Sequence, residues 1–490
     1  MVMACFCLSA QSNLHSQDQK KEDKETKVQL EQKIEPVVSA NSKEVKANYS
    51  TSNLRKLKIG ADEIEYKVET GMLPVQLDKD KKGDVFFTSY IVSPKPGENR
   101  PVTFCFNGGP GSSSTWLHLG GLSPKRIRKQ DAANSKPFIL EDNTSSILDL
   151  TDLVFIDPIS TGFSRALKDE AAKNFHHVDN DVVSVGEFIR IFVTRNKRWS
   201  SAKYICGESY GGVRGAALSQ HLLSEHNMEL AGLVFVSPAI DFQTLSASGS
   251  NELPYVMFLP SFTATAFYHK KLAPEYLNDL PSTLKKAESF AQGIYAKALL
   301  MGDAAPKKLQ EKVVQEMSSL TGLSQEYIKK ADMRVSMGMF SKELMREEHM
   351  IVGRYDSRFT GKVRSQTKET YDFDPSGEFI SGQFGAGINH YFYEDLGVES
   401  DLPYKVVTSA VHPWNYDRFR GSYVDLSPSL KEAMLNNPHM KVLNLCGYTD
   451  LATPYLANRY TMNHLLLPEE IQQNISYAYY LAGHMMYLHD

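Results

Sequence analysis

The sequence predicts an α/β architecture, a mostly parallel, doubly wound sheet with an inserted helical cap. Three observations carry this. Short apolar runs suited to buried strands recur at 102–106, 153–156, 204–206, 233–236, 442–445 and 477–481. Helical patterns fall between several of them, as at 182–192 and 454–466. The series is interrupted over 251–408, which holds the amphipathic stretches 284–301 and 307–320 and the loop-like GRYDSRFTG from Gly353. Short apolar strands alternating with helices indicate a parallel sheet covered on both faces. A helical block between two of its strands is most simply a cap.

The chain starts MVMACFCLSAQSN, short and apolar with a small-residue step at Ser9-Ala10, like the later part of a secretory signal without its positive n-region. Residues 1–10 are therefore read as a signal-peptide remnant, with a lipid anchor on Cys5 or Cys7 as the weaker alternative. Residues 11–54, rich in Gln, Lys, Glu and Ser, read as a disordered polar leader. From Leu57 the pattern turns β-rich, and 64–68 and 85–92 look like an opening antiparallel meander. Residues 55–250 and 409–490 are assigned to one catalytic domain, and 251–408 to the cap.

With 490 residues, 42% hydrophobic and 23% charged, the chain has the composition of a globular protein large enough for a main domain and an insertion. A net charge of −4 gives no reason to expect nucleic acid as a partner, and no apolar run reaches the length of a transmembrane segment. Cys105, Cys206 and Cys446 each sit in a strand-like run and read as small buried hydrophobes. An exported protein without disulfides fits a bacterial periplasm or exterior.

The stretch YICGESYGG carries the chemistry. Gly207, Ser209 and Gly211 form G-x-S-x-G between a strand and a helical pattern, the nucleophile elbow of α/β-hydrolases. The bland alternative is a glycine-rich turn with an incidental serine. A serine nucleophile needs a base, an acid to orient it and two oxyanion donors. Asp450, in NLCGYTDLATP, and His484, in YLAGHMMY, follow in the required order, each just past a buried strand. Singly, Asp450 reads equally as a cap for the helix starting at Pro454, and His484 as incidental; together they complete a triad. His176, His177 and His489 lack such a setting and are read as surface. Tyr210 N–H is one expected oxyanion donor, and the loop FNGGPGSSS, 106–114, supplies the other. No metal-ligand spacing is present, and no cofactor is expected.

With these residues in hand, the chain resembles the serine carboxypeptidases, an α/β-hydrolase branch that removes C-terminal amino acids. NGGPGSSS, DPISTGFSR from Asp157, GESYGG, and the pair GYTDLATP and GHMM carry the match, over roughly residues 60–490. The resemblance implies hydrolysis of peptides with a free C-terminus through an acyl-enzyme. It implies Ser209 as nucleophile, His484 as base and Asp450 as its orienter, with Gly109 and Tyr210 N–H groups as the oxyanion hole. It also implies that Asn107, Gly108 and Glu208 bind the substrate's terminal carboxylate. Met485, after the histidine, is assigned to the leaving-residue pocket. The chain departs from the family at Cys105 and Ser112, and at Gly121, where a second acid often supports the first. That last departure removes one group that would hold a proton on Glu208. The competing readings are an acyltransferase or esterase on the same fold, or a catalytically idle binding protein.

Overall fold

The computed structural model describes residues 49–78, 82–93, 98–128, 138–168, 172–365, 371 and 373–489. The chain divides into units 1–46 and 47–490, and every described residue belongs to the second. The proposed signal remnant, and the leader up to residue 48, lie outside the described residues.

Nine strands build the central sheet: β1 Thr51–Ile59, β2 Asp62–Gln76, β3 Lys82–Val92, β4 Val102–Phe106, β5 Asp152–Ile156, β6 Lys203–Glu208, β7 Gly232–Val236, β8 Lys441–Gly447 and β9 Ile475–Tyr480. Their order is β1-β2-β3-β5-β4-β6-β7-β8-β9, with the short pair Arg165–Ala166 added to β3. The first three form the expected antiparallel meander, and all pairs from β5 onward are parallel. The leader boundary needs correction, because Thr51 to Leu54 already pair with Thr70 to Lys67. Much of β1 is exposed at the sheet edge and alternates with charged residues, so its sequence carries almost no apolar signal.

Strand periodicity sorts the core. Phe104 and Phe106 of β4 enter one cluster with α1 (Val178–Arg195), α2 (Gly211–His226) and Leu430, while Cys105 between them enters another. His177 starts α1 by accepting a hydrogen bond from Asp179 N–H, and Asp179 and Asp181 add charge that suits a helix N-terminus.

The described residues of the 251–408 segment hold several helices, including α3 (Leu253–Tyr268) and α4 (Pro375–His390), and a two-stranded hairpin, Met350–Val352 with Thr360–Lys362. Ile380, Phe384 and Ile388 of α4 join the second core with Trp116 and Phe155. Part of that sheet face stays open as a groove of about 660 Å³, with Thr103, Tyr204, Val234, Leu445 and Tyr487 among its walls. Among the described residues no helix is long and apolar enough to cross a membrane.

Candidate active site

Ser209 sits between β6 and α2 with φ of 60°, a conformation costly for any residue with a side chain. Three backbone bonds hold it. Its N–H donates to Val236 O at 3.0 Å, and its carbonyl accepts from Gly212 N–H at 2.8 Å and Ala239 N–H at 2.9 Å. The turn is so tight that a Cβ on Gly207 would lie 2.4 Å from Gly211 O. Glu208 and Tyr210 are buried on either side, while Ser209 keeps contact with solvent.

Asp450 and His484 follow the adjacent parallel strands β8 and β9. The His484 Nδ1 to Asp450 Oδ2 distance is 2.8 Å, with both residues fully buried. Asp450 Oδ1 accepts the N–H groups of Ala452 at 2.7 Å and Thr453 at 3.0 Å, and Thr453 Oγ1 lies 2.8 Å from Oδ2. A carboxylate acceptor on Nδ1 assigns that nitrogen its proton and leaves Nε2 free to accept one. Burial pushes the imidazole pKa down, but the Asp450 carboxylate outweighs it and the net shift is upward. His484 N–H donates to Tyr355 O at 2.6 Å, and Ser237 Oγ donates to His484 O at 2.9 Å. Since Val236 holds Ser209 and Ser237 holds His484, consecutive residues at the end of β7 bring the two loops to one place.

The loop after β4 approaches the elbow closely, for a Cβ on Gly108 would lie 2.4 Å from Tyr210 N. Gly109, with φ of 106°, is exposed beside it. Asn107 Oδ1 accepts Leu117 N–H at 3.1 Å, whereas its Nδ2 is buried without a hydrogen-bond partner. Glu208 lies in the same place at 2% exposure, and its carboxyl is pushed up to about 7. Burial is the main cause, partly opposed by His484 and by Tyr487, whose hydroxyl donates to Glu208 Oε2 at 2.5 Å.

Behind this layer, Arg214 of α2 is 1% exposed and bonds Asp181 of α1 through two nitrogens, at 2.8 and 3.2 Å. A further nitrogen donates to Asn107 O at 2.8 Å, so the pair braces the loop. From DPISTGFSR, Asp157 Oδ1 accepts Ser114 N–H and Oγ–H, both at 2.9 Å, fixing the loop's far end.

Ser209, Asp450, His484, Gly109, Tyr210, Asn107, Gly108 and Glu208 thus converge at the carboxyl ends of the parallel strands, where open α/β sheets keep their sites. The two methionines part company. Met485 lines a small recess with Tyr355, Phe384 and Gln383, while Met486 points into the groove on the sheet face. His176 is not at the surface as expected but 6% exposed, bonded to Ser160 Oγ at 2.8 Å. Sequence reasoning passed over Arg214, Thr453, Ser237, Tyr355 and Tyr487. Of these only Tyr487 carried a local signal, three residues past the histidine on the same turn. Among the described residues no group of His, Cys, Asp and Glu could hold a metal ion.

The family described as serine carboxypeptidase matches residues 60–484. A carboxypeptidase Y homolog A of Fusarium vanettenii is 24% identical over 243 residues, 49% of this chain and 40% of that one. Serine carboxypeptidase-like 36 of Arabidopsis thaliana is 25% identical over 166 residues, 32% of each chain. The matched stretches thus span less than half of these relatives. The crystal structure of Kex1, a prohormone-processing carboxypeptidase from Saccharomyces cerevisiae, aligns with a TM-score of 0.53 and 18% identity over 86% of this chain and 88% of that one. The fold is that of the α/β-hydrolases.

Proposed function

The chain belongs to the serine carboxypeptidase family, and on that premise we propose that it hydrolyses the C-terminal peptide bond of peptides through an acyl-enzyme on Ser209. Ser209 Oγ attacks the scissile carbonyl as His484 Nε2 takes its proton, with Asp450 holding the imidazolium. Gly109 and Tyr210 N–H groups stabilise the resulting oxyanion. The C–N bond breaks as His484 returns the proton to the leaving amine, and the free amino acid departs. Water, deprotonated by the same nitrogen, then attacks the ester and frees Ser209.

The observation that carries this reading is the pairing of an unpartnered buried donor, Asn107 Nδ2, with a buried carboxyl, Glu208, that stays protonated up to about pH 7. Two donors side by side suit a carboxylate, which an ester or an internal peptide segment does not offer. The alternative of an acyltransferase or esterase leaves that arrangement without a use. The block 251–408 is the proposed cap, and its contact with His484 through Tyr355 supports a restriction to flexible chain ends. Met485 is proposed to wall the leaving-residue side.

The test is KM for a matched free-acid and amide peptide pair from about pH 4 to about pH 8, a range that brackets glutamate titration. Glu208 can donate to a carboxylate only while protonated. Its pKa is raised, so the donor is present at acid pH and lost as pH rises through about 7. KM for the free acid should then climb by about 10- to 100-fold, as expected when a buried charged group loses a partner. The amide should show a flat profile. Glu208→Gln, a permanent donor, should flatten the free-acid profile as well. Identical wild-type profiles for acid and amide would remove Glu208 and Asn107 from the role.

Export, to a bacterial periplasm or exterior, is proposed on the apolar start of the sequence and the buried free thiols Cys105, Cys206 and Cys446. Fractionation of the native host should recover the protein outside the cytoplasm; a wholly cytoplasmic pool would overturn this.

A further inference from the structure

We propose that Tyr487 is the positioning residue of the carboxylate site, selecting which oxygen of Glu208 carries the acidic proton. This rests on the carboxypeptidase reading above. The Tyr487 hydroxyl donates to Glu208 Oε2 at 2.5 Å, its one acceptor among the described residues. A phenol with a single acceptor gives its proton to that oxygen. Oε2 therefore behaves as the carbonyl-type oxygen of the neutral acid, and the acidic proton resides on Oε1. Oε1 is left to donate, with the unpartnered Asn107 Nδ2 as the neighbouring donor.

The seat of the ring is built for it. A Cβ on Gly120 would lie 2.5 Å from Tyr487 Cε2, and one on Gly121 would lie 2.7 Å from Tyr487 Cβ. Any side chain at these positions evicts the tyrosine. The phenol thus occupies the room that Gly121 leaves where relatives often carry a second acid. The turn that presents it, Met486–Leu488, closes with Leu488 N–H donating to Met485 O at 3.1 Å.

The groups facing Glu208 are known. His484 and Asp450 act from the loops after β9 and β8, Asn107 from the loop after β4, and Tyr487 from the C-terminal turn. Cys206, two residues before Glu208 on β6, lies beside the phenol. Of these, Tyr487 stabilises the ionised form of Glu208 by donating to it. Removing the hydroxyl therefore lets Glu208 keep its proton to higher pH, but leaves that proton free to sit on either oxygen.

Tyr487→Phe should consequently show two effects on free-acid peptides, with kcat nearly unchanged. The low-pH plateau of KM should rise by about 3- to 10-fold, the range of one net hydrogen bond. The alkaline rise in KM should move to higher pH. Neither effect should appear with amidated peptides, and the shift of the alkaline limb should vanish when Tyr487→Phe is added to Glu208→Gln, which has no carboxyl to titrate. Gly121→Ala, which displaces the ring without touching the hydroxyl's chemistry, should reproduce both effects. A purely structural tyrosine would lower thermal stability and kcat without moving the alkaline limb. An unmoved limb in both single variants, or an equal shift for acid and amide, would overturn the proposal. If wild-type enzyme fails to distinguish acid from amide, the functional reading itself has failed. If it does distinguish them and Tyr487→Phe leaves the limb in place, only the role of Tyr487 has failed.

Discussion

Replacing Ser209 by alanine is expected to lower turnover by about 10⁴-fold or more while the protein stays folded. The substitution removes the covalent route but leaves the oxyanion donors and the carboxylate site, so residual activity should exceed the uncatalysed rate. His484→Ala should cost a similar factor. The double variant should be scarcely worse than either single, because the two residues act as one unit. Alanine should not relieve the backbone, since φ of 60° is as awkward for it as for serine. Ser209→Gly, by contrast, removes the strain of about 1–3 kcal/mol that such a conformation stores, and should be more stable than Ser209→Ala. Peptidase assays and thermal unfolding check the two halves. Near-wild-type turnover in Ser209→Ala would end the assignment.

The largest effect on stability is expected at Arg214. Arg214→Met leaves the Asp181 carboxylate, at 3% exposure, and the Asn107 carbonyl without their buried donor. Breaking one side of a buried ion pair costs about 3–5 kcal/mol, far more than an exposed pair. Burial already pushes the Asp181 pKa upward despite the guanidinium beside it. Without Arg214, Asp181 should take up a proton, and the variant should be less destabilised at acid than at neutral pH. Adding Asp181→Asn should recover part of the loss, the sign of direct coupling. Denaturant unfolding measures both. A cost below about 1 kcal/mol, the range of an exposed pair, would mean that the pair is not holding the loop.

Most of the sheet could be read from the sequence because its inner strands are continuous apolar runs of the length a covered parallel strand requires. Ser209, Asp450 and His484 were legible for a different reason. Each sits at a strand end, and their chain order is fixed by the fold. Apart from Tyr487, three residues past His484, what escaped detection lacked a local signature. Thr51–Ile59 is an edge strand with few buried positions, so its polar alternation looks like leader. The burial of His176 depends on Ser160 and Trp414, which reach it from separate loops. Tyr487 and Glu208 are 279 residues apart, and nothing in either neighbourhood announces the other. Gly121 was legible only as a missing acid, whereas its physical meaning is room for a ring.

The strand order has a consequence for how activity begins. A ribosome delivers the Ser209 elbow long before it delivers β9 and the loop that carries His484. At ordinary translation speeds the interval is on the order of tens of seconds. Throughout it, the growing chain holds Ser209 without its proposed base, because His484, whose carbonyl and N–H are to bond Ser237 and Tyr355, has not yet been made. On the proposed mechanism, the nascent polypeptide therefore cannot act on other chain ends. A ribosome stalled before residue 484 releases a chain that lacks the base proposed for Ser209.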